Sequence, residues 1–346
     1  MRRTVGALTM RGAALLCLLS SNAWAQQPGT AAPQATFRTQ SNLVLVPTLV
    51  ESNSGEPVFG LTAKDFTVTD NGVPQKIRVE AGTDHAPMSI VLLVQTGRSA
   101  YREFNKMVGL PTMAEGLAGD VSHRIAVVAF DSRPHQVLDF TNSPDAVQQA
   151  VYSIEPGDDG AAILDAVWYA VDMLDDEPRQ NQRVILLLSE TRDHGSRTPV
   201  RAVVRKIGRS DVVVYSLAFS PARGDLFDFS GAGGSADLLA PLRMAIQAVR
   251  RNTAAAIPKM TGGRYLRFNH GKQFDAELGQ LANQVHNRYV LSFQPPDPAP
   301  GFHQLRVTLS RPLQARVLAR TNYWAARPVA EDPADTVPEP SPQNRM

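Results

Sequence analysis

Cysteine is nearly missing from this chain: Cys17 is the only one in 346 residues. It lies in the apolar run of a stretch that reads as a secretory signal, preceded by Leu16 rather than the small residue that lipid attachment favours. The mature chain expected after cleavage therefore has no disulfide and no thiolate chemistry. Long hydrophobic runs are missing too. The run at 12–19 is far too short to span a bilayer, and nothing later is longer, so no membrane insertion of the mature chain is expected. A strong charge of one sign is also lacking. Removing Arg2, Arg3 and Arg11 with the leader turns the formal +2 into −1, which gives no electrostatic case for nucleic acid.

Catalytic signatures are equally scarce. His85, His123, His135, His194, His270, His286 and His303 show no metal-ligand spacing. There is no Gly-x-Ser-x-Gly elbow, phosphate-binding loop or His-Glu-x-x-His pair. His194, in "SETRDHGS" (189–196), is the histidine best placed for a ligand-facing rim. No nucleophile is nominated together with a base, so the chain is read as not an enzyme.

What is present is ordered. Arg2, Arg3 and Arg11, the apolar run and Ala23-Trp24-Ala25 make residues 1–25 a signal peptide cleaved near Ala25, and place the mature chain in the periplasm or outside the cell. Residues 26–36 form a flexible leader and 327–346 a Pro-rich disordered tail. Between them, 37–84 reads as strands and turns. Ser54-Gly55 marks one turn, and Asn71-Gly72 carries the strongest short hairpin signal, between alternating segments.

From residue 87 the pattern changes. Apolar runs at 89–95, 124–130, 183–189 and 211–219 suit strands buried on both faces. Helical stripes lie between them, with Phe104, Met107 and Val108 on one and Ile163, Leu164, Val167, Trp168, Val171 and Leu174 on another. "GDDG" (157–160) is expected to open the second helix with its carboxylates at the positive end. A further helix is expected over 274–285, and β signals return over 288–326. The fold class is thus α/β: a doubly wound, mostly parallel sheet over 87–287 with helices on both faces. The two β flanks, too small to stand alone, are expected to form one β-sandwich.

Five stretches together resemble a known family: "GLTAKDFTVTDNGVPQKI", "PMSIVLLVQTGRS", "VILLLSE", "MTGGRYLRF" and "YVLSFQPPDPAPGFHQLRVTL" with "TNYWA" after it. The α/β part resembles the von Willebrand factor type A domain. The whole mature chain resembles the exported acidobacterial proteins related to it. That resemblance implies a metal-ion-dependent adhesion site at the top of the sheet, made from Asp-x-Ser-x-Ser, a Thr and an Asp around Mg²⁺ or Mn²⁺. Carried over by position, these fall on Gln95, Gly97, Ser99, Ala161 and Glu190, with Arg98 in the same loop.

A hard cation wants about six oxygens with several charges, and this set offers few. The expectation is no metal and no cofactor, with Gln95, Gly97, Arg98, Ser99, Ala161 and Glu190 as a partner-binding face for an unidentified protein. One alternative is a metal-dependent adhesin rebuilt from Asp158, Asp159, Glu190 or Asp193; the plainer reading leaves Asp158 and Asp159 to the helix start and Asp193 to solvent. Another is a structural cell-envelope protein whose β segments make the contacts. "TGGR" (261–264) reads as a tight turn. Arg223-Gly224-Asp225 is read as a coincidental tripeptide within a flexible insertion, 224–237, that carries Phe227 and Phe229.

Overall fold

The computed structural model describes residues 43–81, 86–97, 100, 110–219, 239–267, 281–296 and 298–326. The expected leader, tail, insertion with its tripeptide, the stripe of Phe104, Met107 and Val108, and residues 274–280 lie outside this set, as do Arg98 and Ser99.

The first flank supplies β1 (Val44–Ser52), β2 (Phe66–Asp70), β3 (Val73–Pro74) and β4 (Ile77–Val79). The hairpin between β2 and β3 turns at Asn71 and Gly72, both at positive φ (48° and 85°), as the dipeptide predicts. The α/β part then runs β5 (Met88–Gln95), α1 (Leu110–Ala118), β6 (His123–Phe130), β7 (Pro134–Thr141), α2 (Pro144–Tyr152), α3 (Ile163–Asp175) and β8 (Gln182–Ser189). It continues through α4 (Val200–Arg209), β9 (Val213–Ala218), α5 (Ala240–Arg251), α6 (Thr253–Thr261) and β10 (Tyr265–Arg267). The second flank adds β11 (Tyr289–Phe293), β12 (Gly301–Leu309), β13 (Ala315–Ala319) and β14 (Asn322–Ala325).

The central sheet has the order β10-β9-β8-β5-β6-β7, parallel except for the β6–β7 pair. Every residue of β5 is buried, because it is flanked by strands at both edges and by helices on both faces. Its side chains alternate between the two layers. Met88, Ile90, Leu92 and Val94 join α1 and α2, whereas Val91 and Leu93 join α3, α4, α5 and α6. The antiparallel edge strand β7 has no apolar run in the sequence. It begins with Pro134 and is at most half-buried, the composition that an edge tolerates.

The two flanks interleave. β1 pairs with β11 and β13, and β2 pairs with β12, giving the four-stranded sheets β13-β1-β11-β4 and β14-β12-β2-β3. Val46, Val50, Phe66, Val68, Leu291 and Leu305, from both sheets, share one apolar cluster. Trp324 of β14 and Phe302 of β12 also reach the helix layer of α3 to α6.

A buried arginine ties these parts together. Arg320, 6% exposed, donates through Nη2 to the Gly208 carbonyl (2.7 Å) at the end of α4 and through Nε to the Asn322 carbonyl (2.7 Å). Burial lowers its pKa to about 10, so it remains charged at neutral pH, where the negative end of α4 favours it. The backbone comes equally close: Gly262, the left-handed C-cap of α6 at φ 84°, would place a Cβ 2.7 Å from the Pro47 carbonyl. The "TGGR" stretch thus serves as a helix cap against β1. Glu51, 2% exposed, adds a second tie by accepting from Arg264 Nη1 at 2.9 Å.

Arg320→Met leaves those carbonyls without their donor. It is expected to cost on the order of 3 kcal/mol in denaturant unfolding; a change within about 0.5 kcal/mol would show the arginine to be a bystander.

His303 supplies a pH test. Its Nδ1 faces Asp70 Oδ1 (2.8 Å) and its Nε2 faces the Ala299 carbonyl (2.6 Å), so both nitrogens have acceptors that favour the protonated ring. Burial opposes the charge, but the hydrogen bonds to Asp70 and Ala299 and the charge of Asp70 prevail, raising the pKa above 6.5. The stabilisation is therefore complete below that value and lost as pH rises through the folded pKa. Melting temperature is expected to fall on that rise and the fall to shrink in His303→Gln; equal slopes in both proteins would refute it.

Candidate functional site

In an open α/β sheet the crevice lies beyond the carboxyl ends of the strands, where the strand order reverses. Here that point is the end of β5, between β6 and β8. Three loops meet there: 95–97 after β5, 131–133 after β6 and 157–161 before α3. A fourth, 190–199 after β8, closes the side.

Gln95 ends β5 and is 1% exposed. Its Oε1 accepts the Glu190 backbone N–H at 2.8 Å, joining the first loop to the fourth. That bond fixes the amide orientation, and the buried Nε2 is left with no partner among the described residues. Thr96, also 1% exposed, donates its N–H and its Oγ1 to the Phe130 carbonyl (2.8 and 3.2 Å) and accepts from Gly157 N (2.8 Å). Gly97 is buried where a Cβ would stand 2.8 Å from the Gly160 carbonyl. A side chain at 97 would thus force two loops apart.

Ala161 is fully buried and exchanges two backbone hydrogen bonds with His194, each 3.0 Å. The His194 ring is exposed and places Nε2 3.0 Å from the Asp159 carbonyl, so that nitrogen donates. Gln95, Gly97, Ala161 and Glu190 are thereby brought together, with Glu190 half-buried and the other three beneath the surface. The exposed rim is formed by Asp158, Asp159, His194, Gly195 and Arg197.

The carboxylates do different work from that expected. "GDDG" does not open a helix, since α3 begins at Ile163. Asp158 Oδ1 instead accepts from Ser132 N (3.1 Å) and Gly160 N (2.7 Å). Hydrogen bonds from the Ser132 side chain and the Gly160 backbone hold its carboxyl below the usual range. Asp193 is not a solvated loop residue but the group that serves the start of α3. Its Oδ1 accepts from Leu164 N (2.9 Å) and Ser196 Oγ (2.5 Å). Among the described residues no three His, Cys, Asp or Glu side chains group as metal ligands.

Sequence reading missed several members. Asp165, in the first turn of α3, accepts from Arg197 N and Thr198 N and so pins the fourth loop. Asp131 Oδ2 accepts from Asp158 N at 3.1 Å. The signal available was "DSR" (131–133) directly after an apolar strand, the position where turn-forming Asp and Ser gather.

Residues 91–192, which span β5 to this fourth loop, match the family model of the von Willebrand factor type A domain. Those residues thus have the pattern of a type A domain. No curated protein matches the chain. Among solved structures it is similar to a von Willebrand factor type A protein from Catenulispora acidiphila, with 11% identity, 82% of this chain and 75% of that one covered, and a TM-score of 0.43. An aerotolerance-related membrane protein from Bacteroides fragilis gives 16% identity over 57% of this chain and 98% of its own, with a TM-score of 0.40. Proximal thread matrix protein 1 from the mussel byssus, with a zinc-occupied MIDAS motif, gives 14% identity over 63% and 49%, also with a TM-score of 0.40. Among the described residues no helix is long and apolar enough to cross a membrane.

Gln95→Leu keeps the bulk at the end of β5 but leaves the Glu190 N–H unpaired. Equilibrium unfolding is expected to show a loss of about 1–2 kcal/mol, and no loss would mean that the glutamine carbonyl does not join these loops.

Proposed function

We propose that the chain is an exported, non-catalytic interaction module that takes a protein partner on the loop face of its type A domain, with no bridging metal. The observation that carries this reading is the Gln95 carbonyl, held 2.8 Å from the Glu190 N–H inside the protein. Gly97 and Ala161 bring no side-chain oxygen to the same place, and one carboxylate oxygen of Asp158 and one of Asp193 already accept backbone N–H groups. Residues so arranged do not fit a hard divalent cation, which must trade its hydration shell for charged oxygens.

Among the described residues, three hydroxyls around the face are likewise occupied. Thr96 Oγ1 donates to Phe130, Ser189 Oγ to the Glu190 carbonyl and Ser196 Oγ to Asp193, so none is activated by an imidazole base. What the loops offer a partner is a rigid rim of carboxylates, His194 and Arg197 over a floor closed by backbone hydrogen bonds.

Melting curves with millimolar Mg²⁺ or Mn²⁺ are expected to overlay those with chelator. A cation present at a hundred times its Kd would add about 2.7 kcal/mol, so a rise of several degrees would overturn the metal-free reading. Arg98→Ala with Glu190→Ala is expected to weaken partner capture while leaving the melting curve near that of the parent; full capture would move the interface elsewhere.

A further inference from the structure

Among the described residues the helices are segregated by charge. α1, α2 and α3 carry Glu115, Asp145, Asp165, Asp172 and Asp175 and no lysine or arginine. α4 carries Arg201, Arg205, Lys206 and Arg209; α5 carries Arg243, Arg250 and Arg251; and α6 carries Lys259, with no carboxylate on any of the three. Favourable placement at helix C-termini accounts for Lys206, Arg209, Arg250, Arg251 and Lys259. It does not account for Arg201 and Arg243, which stand in the first half of their helices, and Arg205 lies at the middle of α4.

α4 and α5 lie side by side over the same apolar layer, so their outer surfaces form one strip. Arg201, Arg205 and Arg209 follow at four-residue intervals along α4, and Arg243, Met244, Gln247, Arg250 and Arg251 make up the exposed side of α5. Lys206 does not belong to the strip, because it turns to Asp172 and Asp175 of α3. The strip also has an apolar component. Leu239, before α5, is 59% exposed and Met244 is 36% exposed. Met244 further borders an open recess of about 280 Å³ whose walls include Met260, Phe302, Leu305 and Val317.

We propose that this strip, separate from the loop face, docks the domain on a membrane surface rich in anionic phospholipid. The arginines would meet headgroup phosphates while Leu239 and Met244 reach the acyl boundary. Arginines flanked by exposed apolar side chains on one surface favour interfacial attachment. The mature chain expected after cleavage is close to neutral, at formal −1, so the attraction resides in this local asymmetry. An acidic peptide or a nucleic acid would use the arginines but has no need of the apolar side chains and recess beside them.

The test is flotation of the mature chain, residues 26–346, with vesicles of phosphatidylcholine alone and of phosphatidylcholine mixed equally with phosphatidylglycerol. Binding is expected only to the mixed vesicles. Removing one arginine at the surface should cut affinity roughly fivefold, so Arg201→Gln with Arg243→Gln and Arg250→Gln should lose on the order of a hundredfold. Lys64→Gln with Lys76→Gln and Arg78→Gln, the same charge change on the first flank, should bind as the parent does. Both variants are first required to melt like the parent. The proposal fails if the parent ignores the mixed vesicles, if the two triple variants lose affinity equally, or if the helix variant still floats. It fails equally if the parent binds polyglutamate through these arginines and not the vesicles.

Discussion

The structure depends on the confinement of β5. This strand has a parallel neighbour at each edge and a helix layer on each face, so all eight of its residues are buried. Water is excluded from its side chains, and each polar group it carries needs a partner within the protein. Six residues from Met88 to Val94, all but Ser89, are apolar and meet that condition by packing. At the top, where the loops diverge, the Gln95 carbonyl and Thr96 meet it by bonding to the continuations of β8 and β6, whereas Gln95 Nε2 has no partner among the described residues. The site is therefore a consequence of the topology: the strand order reverses beside β5, and its last polar residues must hold the neighbouring loops.

The same logic governs the floor of the loop face. Oxygens that could have remained available to a ligand accept N–H groups across the loops, from Gln95 to Glu190, from Asp193 to Leu164 and from Asp158 to Ser132. Gly97 permits the close approach that makes this network possible, and Ala161 leaves room for the paired bonds to His194. Below, the flanks are joined to the helices by buried charges that are themselves hydrogen-bonded, Arg320 at the end of α4 and Glu51 beside Arg264. An unpartnered charge at either place would be costly, so the flanks and the type A domain are fixed to one another through specific geometry as well as apolar contact.

Much of this was legible in the sequence because it rests on local pattern. The apolar runs located β5, β6, β8 and β9 to within two residues, and Asn71-Gly72 located the first hairpin. The edge strand β7 was not legible, since an edge beginning with proline and half open to water has no continuous apolar signature. The helix-start role of Asp193 was also hidden: the carboxylate lies 29 residues from Leu164, and only the fold brings the two together. Gln95 was recognisable as lacking the charge of an aspartate, but its carbonyl's bond to Glu190 depends on a contact 95 residues away. The division of charge between α1–α3 and α4–α6 could have been counted from the sequence; its meaning required knowing that α4 and α5 are neighbours.

The most direct measurement for the loop face is amide hydrogen exchange at Glu190, followed by NMR with and without Mn²⁺-free Mg²⁺ buffer. The account predicts slow exchange, because the N–H is bonded to a buried side-chain carbonyl, and the same rate whether or not Mg²⁺ is present. Exchange at the rate of an open loop, or a rate that Mg²⁺ changes, would contradict the claim that Gln95 closes this face from within.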